Sequence, residues 1–140
     1  MVKINNYKIT ILSLLLMVMT GCPEPGPELD GYIRIINNSE EDIVWCAYVE
    51  GRDLESSRFY WGNNMGEDII LKDTIRIDYF NCDAVKHTLE RGWMKYYLFN
   101  LDSIQTISWE RICNERIILK EVTFHSWEEM VACGFTITYP

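Results

Sequence analysis

Most of the chemistry open to this 140-residue chain rests on five cysteines. Cys22 stands alone near the N-terminus, directly after Met19-Thr20-Gly21, while Cys46, Cys82, Cys113 and Cys133 are spread over the remainder. A thiol can be acylated, oxidised or bound to zinc, and its neighbours decide which. Zinc is disfavoured, because none of the four forms a Cys-x-x-Cys pair and His87 and His125 stand far apart, as surface or cap residues would. In an oxidising compartment an even count permits two disulfides in three possible pairings. Cys46 with Cys82 and Cys113 with Cys133 is the preferred pairing, since each joins segments that neighbouring elements could bring together. Buried thiols are the alternative, because cysteine also behaves as a small core hydrophobe.

Other chemistry is sparse. No serine nucleophile elbow, glycine-rich phosphate loop or His-Glu-x-x-His zinc helix occurs. Glu40-Glu41-Asp42 and Glu128-Glu129 are adjacent acids, whereas catalytic carboxylates come from separate elements facing one cleft, so turn and helix-cap roles are expected instead. No cofactor is called for. Aromatic residues are in surplus. Trp45, Trp109 and Trp127 are expected to fill the core, which leaves Tyr60 and Trp61, in a polar glycine-containing segment, as the candidate ligand residues. Asp73-Thr74-Ile75 and Asp102-Ser103-Ile104 resemble an O-glycosylation acceptor pattern, making Thr74 and Ser103 candidate modification sites. A plain Asp-capped turn is the alternative at each.

Cys22 has a stronger context. Lys3 and Lys8, the apolar run Ile9 to Met19 and two small residues give the layout of a secretory signal, and the run is too short to span a bilayer. Met19-Thr20-Gly21-Cys22 resembles the bacterial lipobox, whose cysteine is acylated before cleavage. Residues 1–21 are therefore expected to be a lipoprotein signal peptide, 22–28 an acidic proline-rich tether and 29–140 one globular domain. The alternative for 1–21 is an ordinary helix. The signal removes two lysines and no acids, leaving 11 basic against 21 acidic residues and a net charge of −10. Such a surface repels phosphate backbones and anionic headgroups, so nucleic acid is not expected as a partner and membrane contact is assigned to the N-terminal lipid.

The elements that must position these residues read as short strands with helices between them. Tyr32 to Ile36 and Ile43 to Val49, joined by the polar Asn37 to Asp42, predict a hairpin. The second strand is apolar on both faces, as in a central strand covered on each side. Glu50 to Gly66 predicts an exposed loop. Asp68 to Leu71 and Thr74 to Phe80 predict another strand pair, with Arg76 and Asp78 alternating against Ile75, Ile77 and Tyr79 and one face wet. A helix is expected over 83–91, with Asp83 as N-cap and Gly92 as left-handed terminator, then a strand over 94–99 and a turn at Asn100 to Ser103. A helix over 107–114, a strand over 117–124, a helix capped by Ser126 and ended by Gly134, and a last strand from Phe135 to Tyr139 complete the chain. The class is mainly β, an antiparallel β-sandwich-like domain with two or three short helices.

Tyr97-Leu98-Phe99, Leu101-Asp102, Trp109-Glu110, Ile118-Leu119-Lys120, the short acidic helix and Phe135-Thr136-Ile137-Thr138-Tyr139-Pro140 are together similar to a family of uncharacterised small lipoproteins of the Bacteroidetes. The likeness spans roughly 29–140 and is strongest from Lys95 onward. It implies an envelope location and no known activity; the four cysteines and Phe135, where tryptophan is common, depart from it. The expected function is a noncatalytic, lipid-anchored module of the cell envelope, in the outer membrane as the acidic tether suggests, binding a glycan or another envelope protein. A small hydrolase acting on envelope polymers and an inhibitor or immunity-type lipoprotein are the alternatives.

Overall fold

The structure, a computed structural model, describes residues 28–50 and 68–140. Among these residues seven strands form two sheets: β1 (Gly31–Asn37), β2 (Ile43–Val49), β3 (Ile69–Ile70), β4 (Thr74–Phe80), β5 (Met94–Asn100), β6 (Lys120–Phe124) and β7 (Thr136–Tyr139). Four short helices accompany them, α1 (Cys82–Arg91), α2 (Leu101–Thr106), α3 (Trp109–Glu115) and α4 (Trp127–Ala132). The first sheet runs β4-β1-β7, with β1 antiparallel to β4 and parallel to β7; the second is the antiparallel β3-β2-β5-β6. The fold is mainly β and sandwich-like, as expected.

β1 and β2 are not a hairpin: they lie in different sheets. β3 and β4 are separated in the same way, so neither expected local pair forms. β1 pairs with β4 from Gly31↔Phe80 to Asn37↔Thr74, and β2 pairs with β3 at Ile43↔Ile70. Together the four strands are one long antiparallel ribbon that folds over itself at a corner made of 38–42 and 71–73. Asn37 holds that corner and is fully buried. Its Nδ2 donates to the carbonyls of Glu41 (2.7 Å), Ile70 (3.2 Å) and Leu71 (3.2 Å), while its Oδ1 accepts from the Ser39 amide (3.1 Å) and hydroxyl (2.6 Å). The Asp42 carboxylate accepts from the Lys72 amide at 2.9 Å, and Asp73 turns with φ 53°. Side chains thus replace the backbone pairing that both strands give up in changing sheets.

The main core lies between the sheets. Ile33, Ile35 and Ile137 from the first meet Ile43, Trp45, Tyr96 and Leu98 from the second, and Val85 of α1 and Met130 of α4 close the layer. The other face of β5, Tyr97 and Phe99, packs with Ile104, Ile112 and Cys113 of α2 and α3. β2 and β5 are therefore covered on both faces, which is why β2 reads as an unbroken apolar run and β5 as one from Tyr96 to Phe99.

Local chemistry shifts several boundaries. Asn81, not Asp83, caps α1: its side chain accepts from the Ala84 amide at 2.8 Å, and the Cys82 amide is held by Asp30 at 2.7 Å. Gly92 has an extended φ of 172° rather than a left-handed one, and a Cβ there would require the Glu50 side chain to shift. Asn100 to Ser103 begins α2 rather than making a simple turn, because Asn100 caps Ser103. The result is four helices among the described residues. β6 starts at Lys120, since Arg116 in the left-handed region ends α3 and delays the strand. Ser126 caps α4 as expected, accepting from the Glu129 amide at 3.2 Å; the Glu129 carboxylate returns to the His125 amide at 2.7 Å, one residue before the cap.

Asn37→Ala takes the side-chain donor from the buried Ile70 carbonyl and from the part-buried Glu41 and Leu71 carbonyls and is expected to cost about 2–4 kcal/mol of unfolding free energy. Ile77→Lys, on the open face of β4, is expected to change it by less than about 0.5 kcal/mol. Urea denaturation of both variants of the full chain measures the difference.

Candidate functional site

β4 turns its charges inward. Register with β1 sets Asp78 beside buried Ile33 and Arg76 beside buried Ile35, while Ile75, Ile77 and Tyr79 point to solvent. The wet face of this sheet is the apolar one. Inside, the Tyr96 hydroxyl donates to Asp78 Oδ2 at 3.4 Å, and Trp45 stacks on the Tyr96 ring at 5.9 Å. Arg76 Nε and Trp45 Nε1 are buried and make no hydrogen bond among the described residues. Burial raises the Asp78 carboxyl above the ordinary carboxylate range, against the Tyr96 hydrogen bond and the Arg76 charge, which lower it. Burial, with the nearby Asp78 charge, also drives the Tyr96 hydroxyl upward.

A second arrangement lies where α1 packs beside the start of α4. Lys86, Leu89 and Glu90 of α1 and His125, Ser126, Trp127 and Glu128 line a groove of about 510 Å³. The amphipathic face of α1 buries Val85 and Leu89 and leaves Lys86 and Glu90 at the rim. Trp127 is half-buried: its ring packs on Phe80 (6.4 Å) and Phe135 (5.2 Å), and Lys86 Nζ sits 5.0 Å from its centroid. The expected core role of Trp127 is thus only half of what it does. An indole edge, two carboxylates from different helices, an ammonium and a hydroxyl all open on one concave surface.

A smaller cleft of about 290 Å³ joins Glu40, Glu41, Asp42, Lys72, Asn100 and Asp102. Its acids are structural in part: Glu41 accepts from Asn100 Nδ2 at 2.6 Å and Asp42 from the Lys72 amide. Among the described residues no group of three or more His, Cys, Asp or Glu could hold a metal ion.

Cys22, Tyr60 and Trp61 lie outside the described residues. Cys46, Cys82, Cys113 and Cys133 are thiols, and neither expected disulfide is present. The fold explains why: Cys46 faces the cluster beneath α2 and α3, whereas Cys82 packs against the inter-sheet core, so the four-stranded sheet separates them. Cys113 is buried in the same cluster as Cys46, while Cys133 is exposed at the end of α4 and donates to the Met130 carbonyl at 3.1 Å. Burial drives the Cys46 thiol far above its ordinary range. Thr74 is exposed at the start of β4, its hydroxyl donating to the Leu71 carbonyl at 2.6 Å; Ser103 is half-buried in the first turn of α2.

Lys86 and Glu90 were not legible as site residues. They stand about one helical turn apart in sequence, but their partners at 125–128 follow only after four intervening elements, and only the packing of α1 beside α4 joins them. The chain matches no family model, no curated protein and no solved structure.

Two outcomes follow. Asp78, raised in the folded state, contributes stability that is fully present below its unfolded value near about pH 4 and is lost as pH rises through the folded value. The stability of the native chain relative to Asp78→Asn should therefore fall from acid towards neutral pH in paired urea titrations; a rise would contradict the burial of this carboxyl. With a disulfide reagent in excess, exposed Cys133 should react before Cys46 and Cys113, which lie in the cluster beneath α2 and α3, as read by peptide mass.

Proposed function

We propose that this chain is a lipid-anchored module of a bacterial cell envelope that binds a short saccharide in the groove between α1 and α4 without transforming it. The observation that carries this reading is the convergence of Trp127 with Lys86, Glu90, Ser126 and Glu128 on one surface. A sugar ring presents an apolar C–H face and a rim of hydroxyls, so it needs an aromatic surface bordered by directional acceptors and donors. Glu90 and Glu128 are exposed acceptors for hydroxyl pairs, and Lys86 and Ser126 are donors. Lys86 now covers the indole; a saccharide would take its place there and leave the ammonium to Glu90, one turn further along α1.

The lipid anchor is read from Met19-Thr20-Gly21-Cys22, and with it the envelope location; delivery to the outer membrane is read from the acidic tether over 22–28. The acidic mature domain fits a partner without negative charge. A hydrolytic reading has one observation in its favour, that Glu90 and Glu128 come from separate elements and line the same groove. Both are exposed, whereas a catalytic acid working near neutral pH is ordinarily kept protonated by burial.

Titration calorimetry of the full chain against a panel of neutral oligosaccharides tests this. One binder is expected, with Glu90→Gln and Lys86→Ala each weakening it by roughly tenfold and Tm unchanged. Unaltered affinity in both variants would remove the groove from the reading, and cleavage of the bound oligosaccharide would make the chain a hydrolase.

A further inference from the structure

β4 is inverted in a domain with no shortage of acids. The outward residues of the β4-β1-β7 sheet are Ile75, Ile77 and Tyr79 on β4, Tyr32, Arg34 and Ile36 on β1, and threonines on β7. Tyr79 and Ile75 are each 60% exposed, Tyr32 48% and Ile77 40%. The register makes them one patch, with Tyr32 beside Tyr79, Arg34 beside Ile77 and Ile36 beside Ile75. None of these outward positions carries a carboxylate, although the chain holds 21 acidic residues. Large exposed apolar surface on one sheet face marks contact with something apolar.

The chain's own path says what that is. Asn81 Nδ2 donates to the Glu28 carbonyl at 2.9 Å and Asp30 accepts from the Cys82 amide at 2.7 Å, so the N-terminal segment arrives at the Tyr32–Tyr79 end of the patch. Leu29, at that point, is 59% exposed. From Cys22 to Leu29 the chain spans seven residues and reaches at most about 24 Å when extended. We infer that this sheet face rests on the lipid bilayer to which Cys22 is anchored, with Tyr32 and Tyr79 at headgroup level, Ile75 and Ile77 in the acyl boundary and Arg34 on headgroup phosphate.

The inference rests on the lipid-anchor reading and adds a second membrane contact to it. An acyl anchor holds the chain to the bilayer without setting its orientation, and a patch of exposed side chains placed at the anchor point fixes which face of the domain looks outward. Tyrosine suits the interface because its ring is apolar and its hydroxyl wet. Acids on the other surfaces are repelled by anionic lipid, which orients the domain the same way. A second copy fits less well: two-fold pairing of this face brings Arg34 towards its own copy, with no outward carboxylate to meet it. The α1–α4 groove is left outside the contact.

The full chain is mixed with vesicles of phosphatidylethanolamine and phosphatidylglycerol, the floated fraction is treated with N-acetylimidazole, and tyrosine acetylation is mapped by peptide mass. Tyr32 and Tyr79 should be protected roughly fivefold relative to the same chain held in detergent without vesicles, with Tyr139, paired with inward-facing Asn37, unchanged. Ile75→Asp with Ile77→Asp should restore labelling of both while the chain still floats through its lipid. Equal labelling of a floated chain whose mass carries an acyl group would overturn the docking and leave the anchor standing. A chain that neither carries an acyl group nor floats would overturn both. Protection without vesicles that grows with protein concentration would assign the face to a second copy and overturn the membrane contact.

Discussion

The corner held by Asn37 is the constraint from which the rest of the architecture follows. A ribbon of four strands cannot bend back on itself without breaking its own ladder, and the groups released there must find partners away from water. One fully buried amide side chain takes up three carbonyls and returns an acceptor to Ser39. Once it does, β1 is committed to β4 and β2 to β3, and the distance of each pair from the corner sets its register. A slip of one residue between β1 and β4 would move Arg76 and Asp78 to solvent and Ile75, Ile77 and Tyr79 inside. The hydrophobic effect alone favours that slip. The observed register instead keeps Asn37 opposite Thr74, and Phe80, at the other end of β4, buried against Trp127 and Phe135. Burial of polar groups on β4 is the cost of holding the corner, and the apolar outer face is its counterpart.

β5 is the other fixed element. With Tyr96 and Leu98 facing one layer and Tyr97 and Phe99 the other, it serves two cores at once and orders the helices on both sides. α2 and α3 cover its outer face through Ile104 and Ile112, while α1 and α4 close the inter-sheet core through Val85, Leu89 and Met130. The α1–α4 groove is thus a by-product of closing a sandwich end with two short helices: each buries one face and leaves a polar rim. Function placed there draws on rigid packing beneath it rather than on loops.

Elements governed by local chemistry were legible in the residues. The double-sided run Ile43 to Val49 read as a covered central strand and is one, and Ser126 with Glu129 marked the start of α4 at the right residue. The i, i+3, i+4 set Trp109, Ile112 and Cys113 lies against one cluster, as its spacing required. Pairing was not legible. Asn37 to Asp42 has the composition of a hairpin turn, and nothing within six residues tells that Asn37 reaches Ile70, 33 positions away. The alternation on β4 was seen correctly, but periodicity cannot say which of two faces is inside when a distant side chain overrides hydrophobicity. Cys46 and Cys82 were paired on sequence neighbourhood, which the four-stranded sheet lying between them undoes. The groove needed the same long-range knowledge, since Lys86 and Trp127 meet only after β5, α2, α3 and β6 have been placed.

Backbone nuclear Overhauser contacts in the isotopically labelled chain test the bent ribbon most directly. The account requires cross-strand contacts from Gly31↔Phe80 through Ile35↔Arg76 to Asn37↔Thr74, together with Ile43↔Ile70 beyond the corner. Contacts between the end of β1 and the start of β2 in a local hairpin, or a β1–β4 ladder displaced by one residue, would contradict it, and the inward charges and outward apolar face would fall with it.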